Sequence, residues 1–321
     1  ARGHDLGCSN LRSTHWLHRR VDVDYNGWWM CLIPTSVIRK IGLSLPLFLK
    51  WDDAEYGLRA KAAGIPTVSF PGAGVWHVSW TDKDDSVGWQ AYYHERNRLI
   101  TALLHSPFDK GGRVLVDSMF LDVKHTLSMQ YYTQAGRLMA LEDLLAGPEH
   151  LHESLSARLP VIRQLAGEYP ESQMKPNVDD FPTVKSKKPP FRGRRNFKSP
   201  GYKKLVPWTA RTVARQLFKP VDDEAKEHPQ IQLNYGETNW WTLSKFDSAL
   251  ATNAEGTGLF WYRRDPQQLR SKLIHATRLH AKIIKNWEQL RKQYQDAAAD
   301  VASYDAWAET FAKHTESELK R

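Results

Sequence analysis

Cysteine is almost absent: Cys8 and Cys31 are the only thiols in 321 residues. Two are too few for a disulfide framework, and they lack the paired spacing of a zinc site. A reducing, cytoplasmic setting is therefore expected. Long apolar runs are missing too. Nothing approaches the roughly 20 residues a membrane-crossing helix needs, and the first residues show neither the charged nor the apolar stretch of an export signal. The chain starts at Ala1 rather than Met, so an upstream portion is expected. No internal repeat or heptad array runs through it. Acid is missing from one long stretch, since residues 182–221 hold 12 lysines and arginines and no Asp or Glu. The whole chain carries +9, so the remainder stands at −3, nine minus twelve. Such a block suits anionic lipid head groups, at about 1 kcal/mol per basic residue near the surface, as well as a plain solvated linker. It lacks the interleaved aromatics and recognisable module of a nucleic-acid binder, and no nucleic-acid partner is expected.

What is present is ordinary in bulk, at 41% hydrophobic and 25% charged residues, but includes 13 tryptophans. Indoles supply flat apolar faces with one N–H donor, which suits cores and sugar-stacking sites alike. The length allows about two domains. Residues 28–33 (WWMCLI) read as a short buried strand, and Pro34 opens a helix closed by Gly42. LPLFLKW then delivers the chain, extended, to Asp52-Asp53 and the helical AEYGLRAKAAG. IPTVSF and VWHVSW read as strands about a PGAG turn. From Val87 to Leu165 the pattern is helical. A basic, Pro-rich crossover at about 180–202 follows, GTGLFWYRR reads as a strand or extended turn, and 266–321 as one or two long amphipathic helices. The expected fold class is α/β, with a first unit over 1–105 and a mainly helical one over 106–321.

Carboxylates, imidazoles and indoles are densest between residues 22 and 98. Sugar transfer needs that mixture: a carboxylate to take a proton from an acceptor hydroxyl, a divalent cation to neutralise a diphosphate leaving group, and aromatic faces for sugars. Asp52-Asp53 stands where a helix begins, so one of the pair suits a general base and either suits an N-cap. His77, beside Trp76, suits a cation such as Mn²⁺ or a structural contact. Asp22-Val23-Asp24 and Asp82-Lys83-Asp84 both spell Asp-x-Asp, yet neither follows an apolar strand. Alternation along a strand would send Trp28 and Trp29 to opposite faces, one structural and one facing a sugar. His94 and Arg98, four apart, share a helix face.

The strings DYNGWWMCLIP, LPLFLKWDDAEYGLRAKAAG and GVWHVSWTDKDD, in that order, resemble the mycobacterial-type galactofuranosyltransferases that polymerise the galactan of cell-wall arabinogalactan. The resemblance runs from about Leu11 to Arg98; the WDDAEYG block is shared more widely among family 2-like transferases. It implies the carboxyl-terminal part of a GT-A domain followed by a helical domain. It also implies inverting, Mn²⁺- or Mg²⁺-dependent transfer from UDP-galactofuranose to a lipid-linked galactan acceptor, with β-(1→5) and β-(1→6) linkages alternating. Asp53 is then the catalytic base and His77 the metal ligand, with Trp28, Trp29, Trp51, Asp52, Trp80 and His94 walling the sugar sites. A homo-oligomer, peripheral on the inner face of the plasma membrane, is the matching expectation. In that family the Asp-x-Asp motif and nucleotide-binding half lie upstream, so this chain alone is expected to turn over little. Other readings are a family 2-like transferase with a different donor sugar, or a non-catalytic oligomerisation or membrane-surface module.

Overall fold

The computed structural model describes residues 10–70, 72–75, 77, 86–185 and 198–319, with side chains to residue 313. It is mixed α/β and mostly helical. The first third carries strand β1 (Val21–Val23), helices α1 (Thr35–Ile41) and α2 (Asp52–Ala62), and strand β2 (Thr67–Ser69). β1 and β2 pair antiparallel, Asp22 opposite Val68. Helix α3 (Gln90–His105) then leads into α4 (Val114–Leu127), α5 (Tyr131–Ala146) and α6 (Leu151–Leu165). Beyond residue 198 come α7 (Tyr202–Phe218), α8 (Asp223–Glu227), β3 (Gln232–Leu233), α9 (Trp240–Leu243), β4 (Ser248–Thr252) and β5 (Leu259–Arg263). β4 is central in this second sheet, parallel to β3 and antiparallel to β5. Three helices follow: α10 (Pro266–Lys285), α11 (Trp287–Val301) and α12 (Tyr304–Leu319). Asp265 caps α10 by accepting the N–H groups of Gln267 and Gln268, with Pro266 at the first turn where its missing N–H is harmless.

One expected strand is corrected, and another lies mostly outside the described residues. WWMCLI does not extend: residues 28–30 form a turn and 31–34 are irregular. The Asn26-Gly27 pair supplies turn chemistry, and the Trp29 indole folds back over Gly27, where a Cβ would stand 2.8 Å from its ring. In VWHVSW, Val75 and His77 are irregular and the other four residues lie outside the described ones. GTGLFWYRR does hold a strand, and the carboxyl-terminal stretch divides into three helices rather than one or two. Of the expected basic crossover, residues 186–197 lie outside the described ones.

Apolar stripes from α3, α5, α10 and α11 meet in the main core, where Leu99, Ile100, Leu103, Leu141, Leu144, Ile283 and Trp287 are buried. The second sheet packs a separate core through Leu233, Ala249 and Tyr262 with Leu127 and Leu269. Between the helices lies a buried charge chain. Glu95 on α3 meets Arg137 on α5 at 2.5 Å, Arg137 meets Asp122 on α4 at 2.7 Å, and His280 on α10 donates to Asp122 at 2.8 Å. Burial alone would raise both carboxyls, but the Arg137 guanidinium, together with Arg98 and Ser118 at Glu95 and with His280 at Asp122, holds them below their ordinary range. The main core also captures the connection before α2: Leu45 and Leu47 are buried in it, the N–H of Leu43 donates to the carbonyl of Ala302 at 2.9 Å, and the Trp307 indole donates to Ser44 at 2.9 Å.

Candidate active site

The connection from Leu45 to Trp51 positions Asp52 and Asp53. Leu49 (φ 69°) and Trp51 (φ 68°) both adopt left-handed backbone, at an expected cost of order 1–3 kcal/mol each for side chains of this size. Several contacts hold them there. Asn97, buried on α3, donates its amide to the carbonyls of Phe48 (3.3 Å) and Lys50 (2.8 Å). The Phe48 ring packs edge-on against Tyr93 of α3 at 5.1 Å. The Trp51 indole donates to Nδ1 of His94 at 3.3 Å, which leaves the His94 proton on Nε2. Trp51 and His94 are thus brought together across 43 residues.

Helix α2 begins without a side-chain cap, and its first turn carries Asp52, Asp53 and Glu55, where the helix dipole favours negative charge. The three acids differ in their surroundings. Glu55 is buried, accepts two hydrogen bonds from Arg59 at 3.0 Å, and meets Nε2 of His105 at 3.0 Å. Arg59 in turn donates to the carbonyls of Ile41 and Leu43, so Glu55 fastens α2 to its neighbours and has no oxygen to spare for chemistry. Asp52 is half-buried, and burial, helped by the adjacent Asp53 charge, pushes its carboxyl above the usual range. Asp53 accepts the Ala54 N–H through Oδ1 at 2.7 Å. Its Oδ2 has no hydrogen-bond partner among the described residues, which leaves it able to accept from an incoming hydroxyl.

Gly57 explains why the acid pair is followed by glycine. A Cβ there would stand 2.5 Å from the Tyr25 Cβ and 2.9 Å from its Cα, so only glycine lets the backbone after β1 lie against α2. That approach brings in the tryptophans. Trp28, half-buried, packs on Tyr56 of α2 with ring centroids 5.4 Å apart; Trp29 is 55% exposed and lies 4.5 Å from the His77 imidazole. The two indoles thus have different surroundings, and a turn rather than a strand carries them. His77 therefore sits on an exposed loop, connected to α2 through the tryptophan pair rather than from a strand end. Trp80 lies outside the described residues, as does Asp82-Lys83-Asp84. Asp22 and Asp24 pair with Arg20 and Lys61, which is a structural use of that Asp-x-Asp. Among the described residues no three His, Cys, Asp or Glu side chains are grouped to hold a metal, so His77 is a single donor and not a finished site.

Sequence reading missed Asn97, because its partners are backbone carbonyls of a segment more than 40 residues away and nothing local marks it. Arg98, four residues beyond His94 on the same helix, pairs with Glu95 at 3.0 Å.

Two family models match the chain. One described as Galactofuranosyltransferase-2, domain 3, covers residues 114–313; one described as Glycosyltransferase like family 2 covers residues 11–102. A protein named Galactofuranosyltransferase GlfT2 from Mycolicibacterium smegmatis is 38% identical over 309 residues, 96% of this chain and 47% of that protein. One of the same name from Mycobacterium tuberculosis is 36% identical over 304 residues, 94% of this chain and 47% of that protein. The chain thus spans about half the length of these curated relatives.

Proposed function

Because the chain belongs to the galactofuranosyltransferase-2 family, we propose that it carries the catalytic base of an inverting transfer of galactofuranose from UDP-galactofuranose to a lipid-linked galactan acceptor. The observation that supports this most is the presentation of Asp52-Asp53 on a backbone held in left-handed conformation at both Leu49 and Trp51, since strain of that kind persists where the surroundings over-determine it for use. Asp53 takes the proton of the acceptor hydroxyl through its unpartnered oxygen. Asp52, beside it, is the pair's hydrogen-bond acceptor for a sugar hydroxyl. Trp29 offers an exposed face to a furanose ring, while Trp28 supports it from behind. Trp51 and His94 wall the opposite side, and Trp80 belongs to the same reading.

Mn²⁺ or Mg²⁺ belongs to this proposal with His77 as one ligand; the other donors have to come from outside the described residues, and no proton step is routed through the ion. When bound, the cation supplies charge neutralisation for a diphosphate leaving group. Attachment to the inner face of the plasma membrane is part of the same proposal. Among the described residues no helix is long and apolar enough to cross a membrane, whereas the start of α7 exposes Tyr202 and Val206 near the cations Lys203 and Lys204, a composition that suits an anionic surface. Salt-insensitive failure to sediment with anionic vesicles would remove that element. A homo-oligomer is also part of it, measurable by light scattering.

The test is galactofuranose transfer to a short galactan acceptor by this chain alone and by the chain joined to the upstream half that its relatives possess. Turnover is expected only in the joined protein, and Asp53→Asn is expected to lower it by about 10²–10⁴. Undiminished turnover in Asp53→Asn sinks the base assignment. No transfer by the joined protein from this donor sinks the galactofuranosyl reading.

A further inference from the structure

Away from the acid pair, a cavity of about 620 Å³ opens between the start of α3, the start of α5, the turn at residues 171–172 and the second sheet. That volume suits a small organic ligand or a few sugar units. Its composition narrows the choice. Trp89, Tyr132, Tyr235, Phe260 and Tyr262 line it, with amides and hydroxyls between them and, among the described residues, no Lys, Arg or His. A phosphate-bearing ligand would find no cation there. The one carboxylate among the described liners is Glu171, which accepts the Tyr132 N–H at 2.8 Å and whose carboxyl burial pushes up. Flat aromatic faces alternating with neutral donors and acceptors are what an uncharged polyhydroxylated chain requires.

Two amides are available to such a ligand. Gln90 has no side-chain hydrogen-bond partner among the described residues. Gln130 uses its oxygen toward His125 at 2.7 Å, which leaves its NH₂ group for the cavity. Other liners are already committed to building the walls: Thr133 accepts the Gly88 N–H at 2.9 Å, and Thr252 accepts the Tyr235 N–H at 2.8 Å.

The cavity is joined to the candidate active site by α3. Gln90 and His94 lie four residues apart, one helical turn or about 6 Å along the axis, on a shared face. Trp89 in the cavity wall packs against Tyr93 at 6.2 Å, and Tyr93 packs against Phe48 in the strained connection.

We propose that this cavity is a second saccharide subsite, one that takes an uncharged furanose oligosaccharide: the stretch of the acceptor chain behind its reacting end. The sugar's identity rests on the galactofuranosyl reading; the saccharide class rests on the cavity alone. The probe is a synthetic β-linked galactofuranose tetrasaccharide added without nucleotide to the full chain, with binding followed by ligand-observed NMR and by tryptophan fluorescence. The wild type is expected to bind, whereas Gln90→Ala and Tyr235→Ala each weaken binding about tenfold with unchanged circular dichroism. UDP is expected not to compete. Failure of the wild type to bind, variants within twofold of it, or displacement by UDP each overturns the subsite. Should Tyr235→Ala misfold, Gln90→Ala alone decides. If the tetrasaccharide binds as described but the joined protein transfers no galactofuranose, the subsite stands and only the donor assignment falls.

Discussion

Asp52 and Asp53 are adjacent and identical in chemistry, yet the fold makes them unequal. One oxygen of Asp53 is tied to the backbone at Ala54, while Asp52 lies deeper and its carboxyl is pushed up by burial. A carboxyl raised in the folded state adds stability below its unfolded value, about 3.9, and loses it as pH rises through the folded one. At neutral pH the Asp52 charge is therefore a burden on folding. Asp52→Asn is expected to raise the urea midpoint at pH 7, with the gain vanishing below about pH 4, as urea unfolding at the two pH values would show; equal stability of both proteins at pH 7 would contradict it. The acid pair was legible because it opens a helix after an apolar segment. Its inequality was not, because burial depends on α3 and on the connection it holds, both set by packing.

At the scale of elements, α2 came through from sequence almost intact, its acids at the start, its cations at the end and Gly64 beyond, since these are local signals. The partner segment did not. WWMCLI is apolar enough for a strand, but the Asn26-Gly27 turn and the closure of Trp29 over Gly27 fold it back. Gly57 fits both elements: it is a helix residue by spacing and an interface residue by necessity. Gly57→Ala adds a methyl into the Tyr25 backbone and is expected to destabilise by about 1–3 kcal/mol, more than offsetting alanine's better helix propensity. It should also move the Trp28-Trp29 turn off α2, visible as altered tryptophan fluorescence. A Gly57→Ala protein with unchanged melting and emission would show that the contact yields at no cost. The second sheet was only half legible: β5 announced itself by its aromatic run, but Ser248–Thr252 reads SALAT, whose small residues are strand only because apolar clusters close on both faces, Ala249 and Ala251 in one and Leu250 in another.

The molecule as a whole is built around α3, which holds the connection to the acid pair on one side and the buried Glu95–Arg137–Asp122–His280 chain on the other. None of that chain was legible, because its members come from four helices and each alone passes for a surface residue. Acid should undo the fold in two stages. His125, fully enclosed, is pushed down to about 4 by burial. Between its unfolded value of about 6.5 and pH 4 the unfolded chain takes a proton the folded one refuses, so roughly 2 kcal/mol should be lost from pH 7 to pH 5. His125→Gln should flatten that part of a urea-midpoint profile. Glu95 and Asp122, held below their ordinary values, add stability above about pH 4 that disappears as pH falls through their folded values; a profile flat from pH 7 to pH 3 would refute both stages. Finally, the backbone bond from Leu43 to Ala302 joins the segment before the acid pair to a residue synthesised 259 positions later. At about 5–20 residues per second, a ribosome takes roughly 10–50 s to travel between them. For that interval the nascent chain already carries both aspartates but has no C-terminal helices to dock their support against. The support of the acid pair is therefore completed only once Ala302 has been made, and a chain stopped short of Ala302 would contain every residue of the acid pair's loop without the shape.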